Sequence, residues 1–351
     1  MNPVHANFKI LFDLKEVLSK NIVYISDLTP DRTKWFSWIP LKIVRQICFQ
    51  TLTSLDMTKV VIKSRKAEAI FIFEHKPQYS FLLYLVCILK NVPVFFIVHG
   101  IQQSQKKSVF HYFGCEVLRM LVQRGKFWPI HLEISDKEVV EIRPFNKSIV
   151  IPHPLAEESC CNRNRNRIET FVGVVGMLRQ DKPILQVIEF VLEYIKSHEN
   201  VKVFVGTPFW QVLPIELKKM KVDLIDTTSK KQYFDFLKTL DIVIADFDRD
   251  SFYFRPSGII NDAVSCGCFV IAPDYPVFKA QLSRPVKVGE TYQSLDDLNE
   301  VFTSSINYIR DTNVDFNSWR EARKRSFIVN ELGSKMKNII ETKSKIKVSC
   351  D

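Results

Sequence analysis

Pro256-Ser257-Gly258 with Asp262 four residues beyond the glycine is the pattern in this sequence best suited to chemistry. A proline at or near the first helical turn, with Ser and Gly beside it, leaves backbone N–H groups free at a helix N-terminus, a setting that suits a phosphate. Gly258 lets a second group approach the backbone closely. Asp262 follows one turn later on the same helix face, where its carboxylate can accept from both hydroxyls of a ribose. The neighbouring sequence supplies the elements that must hold these groups. Ile242, Val243, Ile244 and Ala245 form a short apolar run of the kind that makes a buried parallel strand. An Asp- and Arg-rich loop precedes the proline, an apolar-periodic run over 259–266 predicts a helix ended by Gly267, and 269–272 reads as the next strand. Strand, loop, helix, strand places the loop at the carboxyl edge of a sheet, where open α/β sheets bind ligands.

The arrangement R-P-S-G-x-x-x-D-A-x-x-x-G-x-x-V-I-A over 255–272 resembles the nucleotide-sugar-binding motif of GT-B glycosyltransferases of the large "group 1" family. In that family the second acidic residue of a pair eight positions apart, followed by Ala and then Gly, holds the donor ribose. Asp262, Ala263 and Gly267 match that half, whereas the earlier acidic position falls on Phe254. The form with Arg255 and Ser257-Gly258 in its place resembles a subset of the same family. The resemblance implies an α/β GT-B fold, two Rossmann-like domains facing across a cleft. Gly176 to Lys182 matches the family's loop after the first strand of the donor domain, so Arg179 and Lys182 are expected to clamp a diphosphate, two cations against two phosphates. His99, at the end of the strand over 92–98, matches a histidine that reaches the donor sugar in related enzymes. Glu74 and His75 lie on the same sheet edge and are candidates to meet the acceptor, as are His5 and Asn7 in a loop that touches substrate in the family, or else a frayed terminus. Gly206-Thr207 and Asp226, at strand ends, are expected to border the base.

A chain of 351 residues exceeds the usual single-core limit, so two domains are expected. The resemblance divides them as 1–153 for the acceptor and 154–328 for the nucleotide sugar, with Ile151-Pro152-His153-Pro154 as hinge, 157–167 as a polar linker, and 329–351 as a helix returning to the first domain plus a tail. Residues 1–150 hold 21 Lys and Arg against 12 Asp and Glu, whereas the remainder holds 28 against 27. A basic N-terminal half attracts nucleic acid, anionic lipid or phosphorylated substrate. No zinc-finger or RNP-like signature supports nucleic acid, which leaves a membrane surface or lipid phosphate, or a solvated face. Trp35, Phe36 and Trp38 beside Lys34 and Lys42 suit an interfacial entry to a helix over 41–55, or packing under the sheet.

The eight cysteines have no paired CxxC spacing, no acidic metal cluster is visible, and no segment reads as a signal peptide or membrane span. The expectation is a reduced cytoplasmic protein, peripheral at the inner face of a membrane, with no cofactor besides its donor and no metal. Further strands are predicted over 22–26, 69–73, 131–135, 148–151, 171–175, 201–205, 222–225 and 286–289. Helices are predicted over 79–89, 106–124, 230–240, 295–309, 316–328 and 329–340. The function expected from the resemblance is transfer of a sugar, with retention, from a nucleotide-diphosphate sugar to a glycan or lipid-linked acceptor. A non-catalytic GT-B scaffold and a nucleotide-sugar 2-epimerase are the alternatives.

Overall fold

The structure, a computed structural model, describes residues 14, 18, 22–25, 42–64, 66–73, 76–98, 109–139, 144–145, 147–155, 168–176, 184–208, 217, 219–220 and 222–348. The chain divides into two compact units, one of Phe8–Ile151 with Val329–Asp351 and the other of Pro152–Ile328 with Met1–Asn7, whereas 1–153 was expected as one domain.

The first unit is built on five parallel strands, β1 Ile22–Ile25, β2 Ala69–Ile72, β3 Val94–Ile97, β4 Phe127–Leu132 and β5 Ile149–Ile151, paired in that order. Val-Phe-Phe-Ile of β3 is buried at every position, as a continuous apolar run requires when both faces are covered. Helices α1 Lys42–Lys63, α2 Phe81–Lys90 and α3 Val109–Gln123 surround it, and Met57, Leu83, Cys87, Cys115 and Leu118 meet Phe96, Phe127 and Phe145 in one core. Gly114 sits where α3 crosses the short turn Pro77–Tyr79, and a Cβ there would lie 2.7 Å from the backbone of Pro77 and Gln78. His111 Nδ1 lies 2.7 Å from Gln78 Oε1 at the same crossing. Strand β4 starts four residues before the strand predicted at 131 and carries Pro129 inside it. A proline normally argues against a central strand, but Phe127 and Ile130 are fully buried and their burial outweighs the lost hydrogen bond.

The second unit carries six parallel strands: β6 Thr170–Val175, β7 Val201–Thr207, β8 Asp223–Asp226, β9 Ile242–Ile244, β10 Phe269–Pro273 and β11 Gly289–Tyr292. Their spatial order is β11-β10-β9-β6-β7-β8. Numbered along this unit alone, that is 3-2-1-4-5-6 read from the β8 edge, the doubly wound order whose switch point falls between the first and fourth strands. Asp241 fixes this central pair, accepting from Phe171 N–H on Oδ2 at 2.8 Å while its own N–H donates to Phe171 O at 2.7 Å. The helices are α4 Ile184–Ile195, α5 Lys230–Thr239, α6 Arg249–Phe252, α7 Gly258–Ser265, α8 Pro276–Ser283, α9 Leu298–Asp311 and α10 Phe316–Glu321, while α11 Arg325–Val348 begins in this unit and from Val329 onward belongs to the first. Strand β11 begins at Gly289, the last residue of the strand expected over 286–289, and the ladder to β10 opens with Val270 N–H donating to Val288 O at 3.1 Å. The last two predicted helices divide elsewhere: a turn at 322–324 ends α10, and α11 runs on unbroken through 328 and through the segment expected as a tail, to Val348. Within the first unit, Lys335 of α11 donates to Val150 O at 3.3 Å.

Candidate functional site

Strand β9 delivers the chain to the carboxyl edge at the switch point, where Ala245 N–H still donates to Ile271 O at 2.9 Å. Beyond it the Asp- and Arg-rich loop folds on itself. Asp248 accepts from Ser251 Oγ at 2.8 Å, the Arg249 guanidinium lies 4.0 Å from the centre of the Tyr253 ring, and that of Arg255 lies 5.5 Å from Phe252. Phe254, where the resembling family has its first acid, is buried among these rings and packs edge-on against Tyr253.

The start of α7 is held from behind. Ser257 is extended and its side chain does not cap the helix. Its backbone is instead gripped by Gln281 of α8, whose Oε1 accepts from Ser257 N–H (3.3 Å) and whose Nε2 donates to Ser257 O (2.9 Å) and Asn261 Oδ1 (2.5 Å). Asn261 Nδ2 in turn donates to His153 O at 2.8 Å and Pro154 O at 3.3 Å. Gln281 and Asn261 are both buried, so these bonds form away from competing water. In front, a Cβ on Gly258 would meet none of the described residues within 4 Å, and the opening N–H groups of a helix have no intrahelical acceptor. A helix start fixed from behind and vacant in front suits an anion.

Asp262 lies half-buried one turn along α7 and accepts from Tyr233 Oη at 3.2 Å. Burial, and then the Asp262 charge, push the Tyr233 phenol well above its usual range, so it stays a neutral donor. Asp226 is engaged by its own loop: Oδ1 accepts from Thr228 N–H (2.9 Å) and Oγ1 (2.6 Å), and Oδ2 from Gln232 Nε2 (3.1 Å). Gln232 completes a capping box with Ser229 that starts α5, the helix carrying Tyr233. Gly206 is explained by packing, since a Cβ would stand 2.3 Å from the Phe236 ring. Thr207 is fully buried beside it, and its Oγ1 has no partner among the described residues. His5, Asn7, Glu74, His75, His99, Arg179 and Lys182 lie outside the described residues, as do Trp35, Phe36 and Trp38. Gly176, which opens the loop bearing Arg179 and Lys182, has φ +126° at the end of β6 and donates to Gly206 O at 3.0 Å.

A cavity of about 570 Å³ opens at the ends of β9, β10 and β11, lined among others by Asp246, Asp248, Arg249, Tyr275, Tyr292 and Leu295. Asp246 Oδ1 accepts from Tyr292 Oη at 2.7 Å and Phe247 N–H at 3.0 Å. Burial raises the Asp246 carboxyl against the pull of those two bonds. Tyr275 donates to Phe247 O at 2.6 Å, and burial pushes its phenol up to about 12. Among the described residues no group of three His, Cys, Asp or Glu is placed to hold a metal ion.

Gln281, Asn261, Tyr233 and this cavity were not singled out from the sequence. Asn261 left one signal, a polar residue at a buried position of an apolar-periodic helix. Gln281 left none, because its partners lie 20 and 24 residues away.

No family model matches the chain, and no curated protein matches it. Solved structures do resemble it. The GtfA/B complex superposes with a TM-score of 0.57 at 10% identity over 81% of this chain and 61% of that one. TarM gives 0.57 at 14% over 84% and 58%, and a TarM structure from S. aureus holds UDP, alpha-GlcNAc-glycerol and Fondaparinux. The trehalose-6-phosphate synthase OtsA gives 0.57 at 6% over 94% of this chain and 84% of its own. The chain thus spans 61% and 58% of the first two. The proteins it resembles are GT-B glycosyltransferases, and the fold of this chain, a parallel sheet in each of two units, is GT-B.

Proposed function

We propose that this chain is a glycosyltransferase that moves a sugar from a nucleoside-diphosphate sugar to a glycan or lipid-linked acceptor. The observation that carries the reading is the start of α7, clamped from behind by Gln281 and open in front of Gly258 at the switch point of a doubly wound sheet. The diphosphate sits against the N–H groups after Ser257, with Arg179, Lys182 and Arg255 as cations. Asp262 accepts from the ribose hydroxyls, oriented by Tyr233. The base lies towards Gly206, Thr207 and Asp226. The unit Pro152–Ile328 is the donor domain, and residues 8–151, with His99, Glu74 and His75, serve the acceptor. Catalysis then consists mainly of neutralising the departing diphosphate, electrostatic stabilisation where charge develops. Retention of configuration follows from the resemblance to the group 1 family.

A lipid-linked acceptor is supported by the face of the first unit. Phe81, Leu82, Leu85 and Leu89 on α2 and Val109, Phe110 and Phe113 on α3 are exposed, and Phe81 meets Phe113 at 5.8 Å between ring centres. Apolar side chains in such number on a basic half of the chain fit an anionic membrane surface. No helix among the described residues is long and apolar enough to cross a membrane.

The test is a thermal-shift screen of the protein against UDP, GDP, CMP and dTDP and their common sugars. Stabilisation by one diphosphate, lost in Asp262→Ala, is the expected result and names the base. No shift with any nucleotide favours a non-catalytic scaffold, and turnover of the nucleotide sugar without acceptor favours an epimerase.

A further inference from the structure

The cavity beyond β9 shares no residue with the donor site just proposed, and its chemistry differs. At about 570 Å³ it falls within the roughly 300–1,000 Å³ of small-ligand pockets. Among the described residues its lining holds the carboxylates of Asp246, Asp248 and Asp274 and the guanidinium of Arg249, and Asp274 is already paired with Lys279 at 3.5 Å and accepts from Thr291 Oγ1 at 2.9 Å. Among the described residues the carboxylates are not grouped as a metal site. The remaining lining is aromatic or uncharged: Phe247, Pro273, Tyr275, Tyr292, Leu295, Gln186, Gln293 and Ser294.

The walls are already fixed. Tyr292 and Phe247 N–H bind one oxygen of Asp246, and Ser251 binds one oxygen of Asp248, so among the described residues Asp246 Oδ2 and Asp248 Oδ1 remain as acceptors. Tyr275 spends its hydroxyl on Phe247 O and rests against the rings of Tyr253 and Phe278, so its position is set before any ligand arrives. Fixed carboxylate acceptors beside rigid apolar side chains match a ligand rich in hydroxyl donors with C–H faces, which is a pyranose ring.

We propose that this cavity is a sugar-binding subsite that takes one neutral hexose-sized ring, its hydroxyls donating to Asp246 and Asp248 and its apolar face lying against Tyr275 and Leu295. Its place along the sheet agrees. Neighbouring strands lie about 4.8 Å apart, so β11 stands about 10 Å from β9, on the side away from β7 and β8. The subsite therefore adjoins the diphosphate end of the proposed donor site rather than the base end. Only that placement beside the donor rests on the glycosyltransferase reading.

Saturation-transfer NMR on the whole chain with the methyl glycosides of glucose, galactose, mannose, N-acetylglucosamine and N-acetylgalactosamine tests the subsite without any nucleotide. At least one neutral glycoside is expected to bind. Leu295→Trp, which fills the mouth and removes no hydrogen bond, is expected to abolish the signal, and Asp248→Asn to weaken affinity roughly tenfold, as for the loss of one charge-assisted bond. Unchanged melting temperature verifies that both variants are folded. No glycoside binding, equal binding in both variants, or binding of glucosamine and tetramethylammonium alone overturns the subsite. A parallel titration with UDP, GDP and dTDP keeps the two ideas apart. Nucleotide binding without a glycoside signal removes the subsite and leaves the proposed function standing, and a glycoside signal without nucleotide binding does the reverse.

Discussion

The two units share one architecture, a parallel sheet covered by helices, and both bury polar groups (Arg119 and Glu133 in the first among them), but the first leaves more large apolar side chains exposed. In Pro152–Ile328 polar groups go inside: Ser257, Asn261 and Gln281 are buried and hydrogen-bonded, and Arg323 is buried with its guanidinium 4.0 Å from the Trp319 ring centre. In the first unit apolar groups go outside, with Phe110 80% and Leu89 74% exposed. The sheets differ to match. The second has a switch point and therefore a crevice at its carboxyl edge, whereas the described strands of the first pair in simple sequence. One unit fixes the start of α7 with a satisfied polar network; the other leaves apolar side chains of α2 and α3 exposed.

The sharpest way to break this contrast is at Gln281. Gln281→Leu keeps the volume but orphans the backbone of Ser257 and the carbonyl of Asn261. Unfolding in urea is expected to show a loss of about 3 kcal/mol, the usual penalty for unpaired buried groups. A loss below about 1 kcal/mol would mean that the network is not what holds the helix start.

Two glycines sharpen it next. Gly114→Ala places a methyl against the backbone of Pro77 and Gln78 and is expected to cost about 2 kcal/mol by overpacking. Gly258→Ala meets open space, so stability is expected to stay within about 0.5 kcal/mol while the nucleotide-induced thermal shift falls. If nucleotide binding survives Gly258→Ala undiminished, the opening in front of α7 is not where the diphosphate lies.

The exposed face of the first unit gives a smaller effect. Replacing Phe110 and Phe113 together by Ser removes exposed rings, so folding stability is expected to hold. Co-sedimentation with phosphatidylserine vesicles is expected to fall on the order of tenfold, about 1.4 kcal/mol, from lost apolar burial. Equal sedimentation of both proteins would assign this face to something other than lipid.

What the sequence discloses follows the same division. The strand–loop–helix–strand unit around Pro256 to Gly267 was legible because each signal is local: an apolar run, a proline at a helix start, a glycine at its end. Gly267 indeed has φ +81°. The burial of β4 through Pro129 was not legible, since tertiary packing overrode a local breaker. Nor was the Gln281 clamp, which joins elements more than one helix apart in sequence. Gly206 shows the opposite case: its place at a strand end suggested a ligand, and its contact with Phe236 accounts for the glycine by packing.

The smallest expected effect concerns Asp246 and separates burial from charge in the cavity wall. Its carboxyl is raised from the ordinary 3.8, first because it is buried and in spite of the bonds from Tyr292 and Phe247. Between 3.8 and the raised value the folded chain holds more protons than the unfolded one, so this group lowers stability as pH rises through that window. Below the window the penalty is absent. Asp246→Asn keeps an oxygen to accept from Tyr292 and Phe247 N–H but cannot ionise. Its stability relative to the native chain is therefore expected to improve between about pH 3 and pH 7, by less than about 1 kcal/mol. Urea titrations of both proteins across that range measure the difference directly. A flat difference would show that hydrogen bonding compensates fully for burial, and a fall with rising pH would show that the ionised carboxylate stabilises the native wall of the cavity.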